Sequence, residues 1–143
     1  MPVVISEKKL QFIKNHARST YPEECCGFLM GFDGDVRRIE RVASARNVNQ
    51  DSRRNRYNID PKELMHADEE ARRSDLHLIG IYHSHPDAPA QPSKFDLEHA
   101  WPWYSYLLLS VQKGEPEDAS VWLLSEDRSK FHLDDLRIIV GDN

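Results

Sequence analysis

His83 and His85 stand two positions apart, Ser93 and Asp96 follow eight and eleven positions after His85, and Glu24 lies far upstream. Along an extended strand, residues two apart point to the same side with Cα atoms about 6 to 7 Å apart, so both imidazoles can reach one metal ion. Neutral imidazole binds zinc at about 2.0 to 2.1 Å, and a carboxylate completes a three-ligand site that leaves one position for water. Asp96 is the carboxylate that the loop from Pro86 to Pro92 can fold back toward the strand end. Each residue also has a plainer use. Histidines end many strands, Ser93 and Asp96 form an S-x-x-D capping box that needs only helix physics, and Glu23 and Glu24 after Pro22 suit solvated carboxylates. With seven histidines in the chain an H-x-H pair alone says little, but the same pair with Ser and Asp at these offsets is rare by chance. His16, His66, His77, His99 and His132 show no ligand spacing. The two cysteines, Cys25 and Cys26, are adjacent; they lack the C-x-x-C spacing of a structural zinc site and cannot staple distant segments.

The elements that must position these residues follow from periodicity. Ser6 caps a first helix with Leu10, Ile13 and Ala17 inward and Pro22 beyond its end. Cys26 to Phe32 is a short apolar strand, Asp33-Gly34 a turn, and the arginine-rich segment with Val36, Ile39 and Val42 the return strand. The polar stretch from Asn47 to Asn55 predicts a mobile loop. Asp60-Pro61-Lys62-Glu63 predicts a capping box opening a second helix with Leu64, Ala67 and Ala71 inward. Leu76 to Tyr82 reads as a buried strand running straight into His83-Ser84-His85-Pro86, and Ser93 opens a third helix that ends by Pro102. Tyr104 to Val111, Ala119 to Leu124, Lys130 to Leu133 and Leu136 to Val140 complete the strands, with a turn at Lys113-Gly114-Glu115-Pro116. The pattern is mixed α/β.

A length of 143 residues implies one domain spanning 1–143, and 39% hydrophobic with 30% charged residues supplies a core while excluding a membrane span. The apolar run from Tyr106 to Leu109 is far below the ~20 residues a spanning helix needs, and the amino terminus shows no export signal. These features and the absence of a disulfide framework predict a reducing, cytoplasmic setting with no membrane partner. A net charge of −5 argues against nucleic acid as a partner. The charge is uneven, however: seven arginines between Arg37 and Arg56 face only Glu40 and Asp51. That stretch is either a docking face for an acidic partner or a solvated edge whose basic residues block strand pairing.

The segments Pro22-Glu23-Glu24-Cys25-Cys26-Gly27-Phe28-Leu29-Met30-Gly31, His83-Ser84-His85-Pro86 and Pro92-Ser93-Lys94-Phe95-Asp96 together resemble the JAMM (MPN-plus) metalloprotease motif. That motif is a glutamate, a long gap, H-S/T-H-P, seven residues and S-x-x-D. Tyr57-Asn58-Ile59-Asp60-Pro61 and the aromatic segment from Trp101 to Tyr106 are similar to the short bacterial members, above all those acting on ubiquitin-like sulfur-carrier proteins, including the type that releases cysteine from a carrier carboxy terminus. The resemblance implies a cytidine-deaminase-like JAMM/MPN fold of mixed α/β (α+β) class, with a central mixed sheet and flanking helices. It also implies one zinc ion per chain with a bound water, and hydrolysis of a peptide or isopeptide bond after the tail of a ubiquitin-like sulfur-carrier protein. It assigns His83, His85 and Asp96 as metal ligands, Glu24 as general base and Ser93 as oxyanion stabiliser, leaving Cys25 and Cys26 with no nucleophilic role.

Eukaryotic deubiquitinases of that family carry insertions that hold a second ubiquitin, whereas here Asp96 leads within a few residues into Trp101 and the next strand. Linkage-specific cleavage of polyubiquitin is therefore not expected. A minimal domain implies instead an extended tail laid beside an exposed strand, where main-chain hydrogen bonds supply affinity; a Gly-Gly end suits a narrow channel, and the stretch from Arg37 to Arg56 is a candidate surface for the carrier body. The competing reading is a non-catalytic ubiquitin-like-protein binding module of the same fold, which the presence of all five motif residues disfavours. A nucleobase deaminase is a third, but its H-x-E and P-C-x-x-C signature is absent.

Overall fold

Ser6 both ends a short strand, β1 (Val3–Ser6), and caps the helix α1 (Glu7–Thr20), its side chain accepting from the Lys9 N–H. Leu10, Ile13 and Ala17 are the buried positions of α1, as the spacing predicts. β2 (Cys26–Phe32) and β3 (Arg37–Ala45) form the expected antiparallel pair. α2 (Pro61–Arg73) starts from Asp60, whose carboxylate accepts from the Lys62 N–H. Glu63 does not close the expected capping box; it reaches outward to accept the Arg46 N–H at 3.2 Å and so ties the preceding loop to the helix. β4 (His77–Pro86) carries the histidine pair, and α3 (Lys94–His99) follows it. β5 (Ser105–Gln112), β6 (Glu115–Leu124), β7 (Phe131–Asp134) and β8 (Leu136–Ile139) complete the computed structural model, which describes residues 1–141.

The strands form one eight-stranded mixed sheet in the order β7-β6-β5-β4-β2-β3-β1-β8. Periodicity of two divides each central strand between its faces. Leu29, Leu107, Leu109 and Val111 join the α1 residues on one face, while Phe28, Met30, Tyr106 and Leu108 meet Ala67 and Ala71 of α2 on the other. β4 lies between an antiparallel neighbour, β2, and a parallel one, β5, and is buried from Leu78 to His85. Cover on both faces explains why this strand reads as a nearly continuous apolar run.

Two differences from the sequence reading are local. β1, which was not anticipated, pairs in parallel with β3 and β8; at four residues it is too short to show a period. β6 begins at Glu115 rather than Ala119, because the turn contracts to Lys113 and Gly114, with φ of 51° and 86°. Two successive positive φ values match the twist of a two-residue hairpin. Among the described residues no helix is long and apolar enough to cross a membrane.

Candidate metal and catalytic centre

Strand register assembles the site. Cys26 pairs with His83 across the β2–β4 ladder, so the residues just before β2 lie beside the end of β4. Ser84 locks that approach: its hydroxyl oxygen accepts the Cys25 N–H at 2.8 Å, and its own N–H donates to the Cys25 carbonyl at 3.1 Å. Glu24 thereby comes within 3.2 Å of His83 Nδ1 despite a separation of 59 residues. Glu24, His83 and His85 each bring one donor atom within 4.8 Å of the others. Asp96 joins from α3, with one carboxylate oxygen 3.1 Å from His85 Nε2 and the other 3.9 Å from His83 Nε2. Exposure is 3% for Glu24, 1% for His83, 5% for His85 and 6% for Asp96, so all four are dry.

This donor set fits a divalent cation. His85 Nδ1 lies 2.9 Å from the Pro89 carbonyl, which can only accept; Nδ1 therefore carries the proton of the neutral ring, and Nε2 presents a lone pair. That lone pair faces a carboxylate oxygen at 3.1 Å. Two acceptors at such a distance need a proton or a cation between them, and two buried carboxylates beside two imidazoles carry more negative charge than a dry strand end tolerates. Without a cation the pressure falls on the protons. Burial opposes charging of the His85 ring, but the Asp96 hydrogen bond and the Glu24 and Asp96 charges together raise its pKa above the ordinary histidine value. Burial likewise opposes the Asp96 carboxylate, yet the His83 charge, the His85 bond and the Ser93 N–H together hold it well below the usual carboxylate range.

Ser93 is exposed while Asp96 is buried. The two make the expected capping box: the Ser93 hydroxyl oxygen accepts the Asp96 N–H at 3.1 Å, and an Asp96 carboxylate oxygen accepts the Ser93 N–H at 2.9 Å. Capping uses a Ser93 lone pair and leaves its O–H proton free. A cavity of about 80 Å³ opens here, lined by Glu24, His85, Pro86, Ser93, Arg54 and Asn55 among others. The loop over residues 86–92 is held by Tyr21, whose hydroxyl donates to Asp87 at 2.6 Å, and by Ser110, whose hydroxyl donates to the Ala88 carbonyl at 2.6 Å.

Sequence reasoning brought Glu24, His83, His85, Ser93 and Asp96 to notice, and the structure gathers all five. It missed Tyr57, whose ring stacks on His83 with centroids 4.2 Å apart, although the residue lay in a segment singled out as similar to the bacterial members. The loop after β3 was expected to be mobile, and here the structure differs. Buried Asn49 accepts the Asp51 and Ser52 N–H groups, Asn47 donates to the Glu24 and Arg56 carbonyls, and the Glu24 N–H donates to the Arg53 carbonyl at 2.6 Å. The density of Asn and Asp that suggested mobility is the material of these side-chain turns. The arginine stretch is not one face either. Arg37 is 1% exposed and donates to Asp33, Ser105 and the Ile79 carbonyl beneath Trp103, so it is removed from any docking surface.

A mixed sheet between helices, with two imidazoles and two carboxylates meeting at the end of its central strand, defines the class of protein. Residues 6–124 match the family described as prokaryotic homologs of the JAB domain, and the chain belongs to that family. A protein named desampylase, from Pyrococcus furiosus, is 33% identical over 117 residues, covering 82% of this chain and 76% of its own. One named CysO-cysteine peptidase, from Mycobacterium tuberculosis, is 31% identical over 126 residues, covering 88% of this chain and 75% of its own. A solution structure from Desulfitobacterium hafniense superposes with a TM-score of 0.83 at 32% identity, covering 100% of this chain and 94% of that one.

Proposed function

We propose that this protein is a zinc metallopeptidase that hydrolyses the bond following the carboxy-terminal tail of a ubiquitin-like sulfur-carrier protein, and that residues 1–143 act as one catalytic domain. The observation that carries this reading is the convergence of Glu24 and Asp96 on His83 and His85 beside an open cavity. The relatives named desampylase and CysO-cysteine peptidase support the substrate class. The two free, buried thiols suit a reducing cytoplasm.

His83, His85 and Asp96 are the residues that would hold the metal, since both Nε2 atoms face the Asp96 carboxylate. A bound zinc ion supplies Lewis acidity that polarises a carbonyl and acidifies water. Glu24, which meets His83 and His85 within the same cluster and lines the cavity, takes the proton from the attacking water and delivers it to the leaving amine as the C–N bond breaks and the carboxylate product forms. Such proton transfer is worth about 10² to 10⁴ in rate. Ser93 directs its free O–H toward the oxygen on which negative charge develops, a role worth about 10² to 10³ when one donor is removed. Tyr57, stacked on His83, shields that ring and fixes its plane. No step requires a thiol.

The test incubates zinc-loaded protein with ubiquitin-like sulfur-carrier proteins that bear carboxy-terminal extensions, comparing wild type with Glu24→Gln by intact mass. Wild type should release the extension, while Glu24→Gln should be at least about 10²-fold slower with its fold and metal content retained. Equal cleavage by both would remove Glu24 as the base. A wild type that binds carriers and cleaves none would favour the binding-module reading.

A further inference from the structure

Residues 53–56, a turn and the residue that follows it, present three arginines and an asparagine near Glu24, and their side chains differ in one respect. Arg53 is paired with Glu23 at 3.3 Å, and Arg56 with Asp51 at 3.7 Å while also lying over the Phe95 ring. Arg54 and Asn55 line the catalytic cavity. Among the described residues, Arg54 has no carboxylate within ion-pairing distance and neither Arg54 nor Asn55 makes a side-chain hydrogen bond. Asp87 feels the Arg54 charge but lies beyond ion-pairing distance of it, its carboxylate accepting instead from the Tyr21 hydroxyl and the Lys113 N–H. Arg54 is thus an uncommitted, permanently charged donor facing a reaction site.

Its position decides what it would meet. The Glu24 N–H donates to the Arg53 carbonyl, and Asn47 donates to the Glu24 carbonyl and to the Arg56 carbonyl on the far side of the turn. The turn is therefore tied to the backbone of Glu24, the group proposed to hand its proton to the departing amine, and shares its cavity. In a single α-amino acid released from a tail, the carboxylate is attached two bonds from that amine. A lysine side-chain amine, by contrast, carries no carboxylate within the same reach, only the amides of its own chain. A guanidinium fork matches a carboxylate with two parallel hydrogen bonds.

We infer that Arg54, assisted by Asn55, recognises the free α-carboxylate of the released residue, so that the favoured substrate is a carrier extended by one amino acid rather than an isopeptide conjugate. The inference rests on the proposed function and narrows its substrate class. It is tested by binding, in the zinc-loaded Glu24→Gln protein, of a Gly-Gly-ended carrier extended by one alanine as the free acid or as the amide. Calorimetry should give the acid an affinity about tenfold to a hundredfold higher than the amide, the range of a hydrogen-bonded charge. Adding Arg54→Ala should abolish that preference by weakening the acid alone, and Arg54→Lys should restore part of it. Equal affinity for acid and amide, or an equal loss of both on Arg54→Ala, would overturn the assignment while leaving the proposed function standing. Failure of the Glu24→Gln protein to bind either form would overturn both.

Discussion

Cys25 and Cys26 sit next to the proposed base, and their environment keeps them out of the chemistry. Both are 1% exposed and neither is in a disulfide. Burial, with the Glu24 charge adding to it, pushes the Cys25 thiol up to about 11 and the Cys26 thiol further still. At pH 8 a thiol with such a value is only about one-thousandth thiolate, and the thiolate is the reactive form. Iodoacetamide at pH 8 should therefore leave both residues unlabelled in the folded protein and label both in denaturant; rapid native labelling of Cys25 would contradict the burial. At this scale the sequence was informative wherever side-chain type and spacing sufficed, as at His83, His85, Ser93 and Asp96. It was silent on Arg54, because three neighbouring arginines look alike until their partners are known.

Among the elements, α3 carries two duties on one residue. The Ser93 hydroxyl caps the helix through its lone pair and lines the cavity, where the proposed reaction would use its O–H. The two duties are separable. Ser93→Gly removes the hydroxyl while a glycine cap costs only a few tenths of a kcal/mol. Its kcat on a carrier conjugate should fall by about 10² to 10³ with the thermal midpoint almost unchanged; a midpoint drop with kcat retained would reduce Ser93 to a structural cap. The other elements were legible where periodicity is strong, as in α1 and β4. The loop after β3 was not. Its Asn residues could serve either solvent or backbone, and only the approach of residues 23–24 decides that they bind backbone.

For the whole molecule, Arg37 shows why summing charge along the chain misleads. Its guanidinium lies across the start of the central strands, bonded to the Ile79 carbonyl of β4 and Ser105 of β5. Arg37→Ala should lower the unfolding free energy by about 3 kcal/mol, since it strands buried partners. Urea unfolding measures this; a change within about 0.5 kcal/mol, typical of surface sites, would count against the role. Metal binding is a second molecular property. Zinc at a hundred times its Kd should stabilise the wild type by about 2.7 kcal/mol, roughly 5 to 10 °C in Tm for a chain of this size. His83→Ala and Asp96→Ala should lose that response, and an undiminished shift in either would remove the residue from the ligand set.

The amino-acid order by itself determined the helices and most of the strands, the same-side placement of His83 and His85, and the Ser93–Asp96 cap. These depend on backbone periodicity and on contacts within a few residues. Only the tertiary structure decided that Glu24 lies against His83 across 59 residues, that Arg37 is buried, and that Arg54, alone of the three neighbouring arginines, lines the cavity with no ion-pair partner among the described residues. Those outcomes follow from strand register and from which side chains meet across the sheet, and packing the whole chain is what selects them.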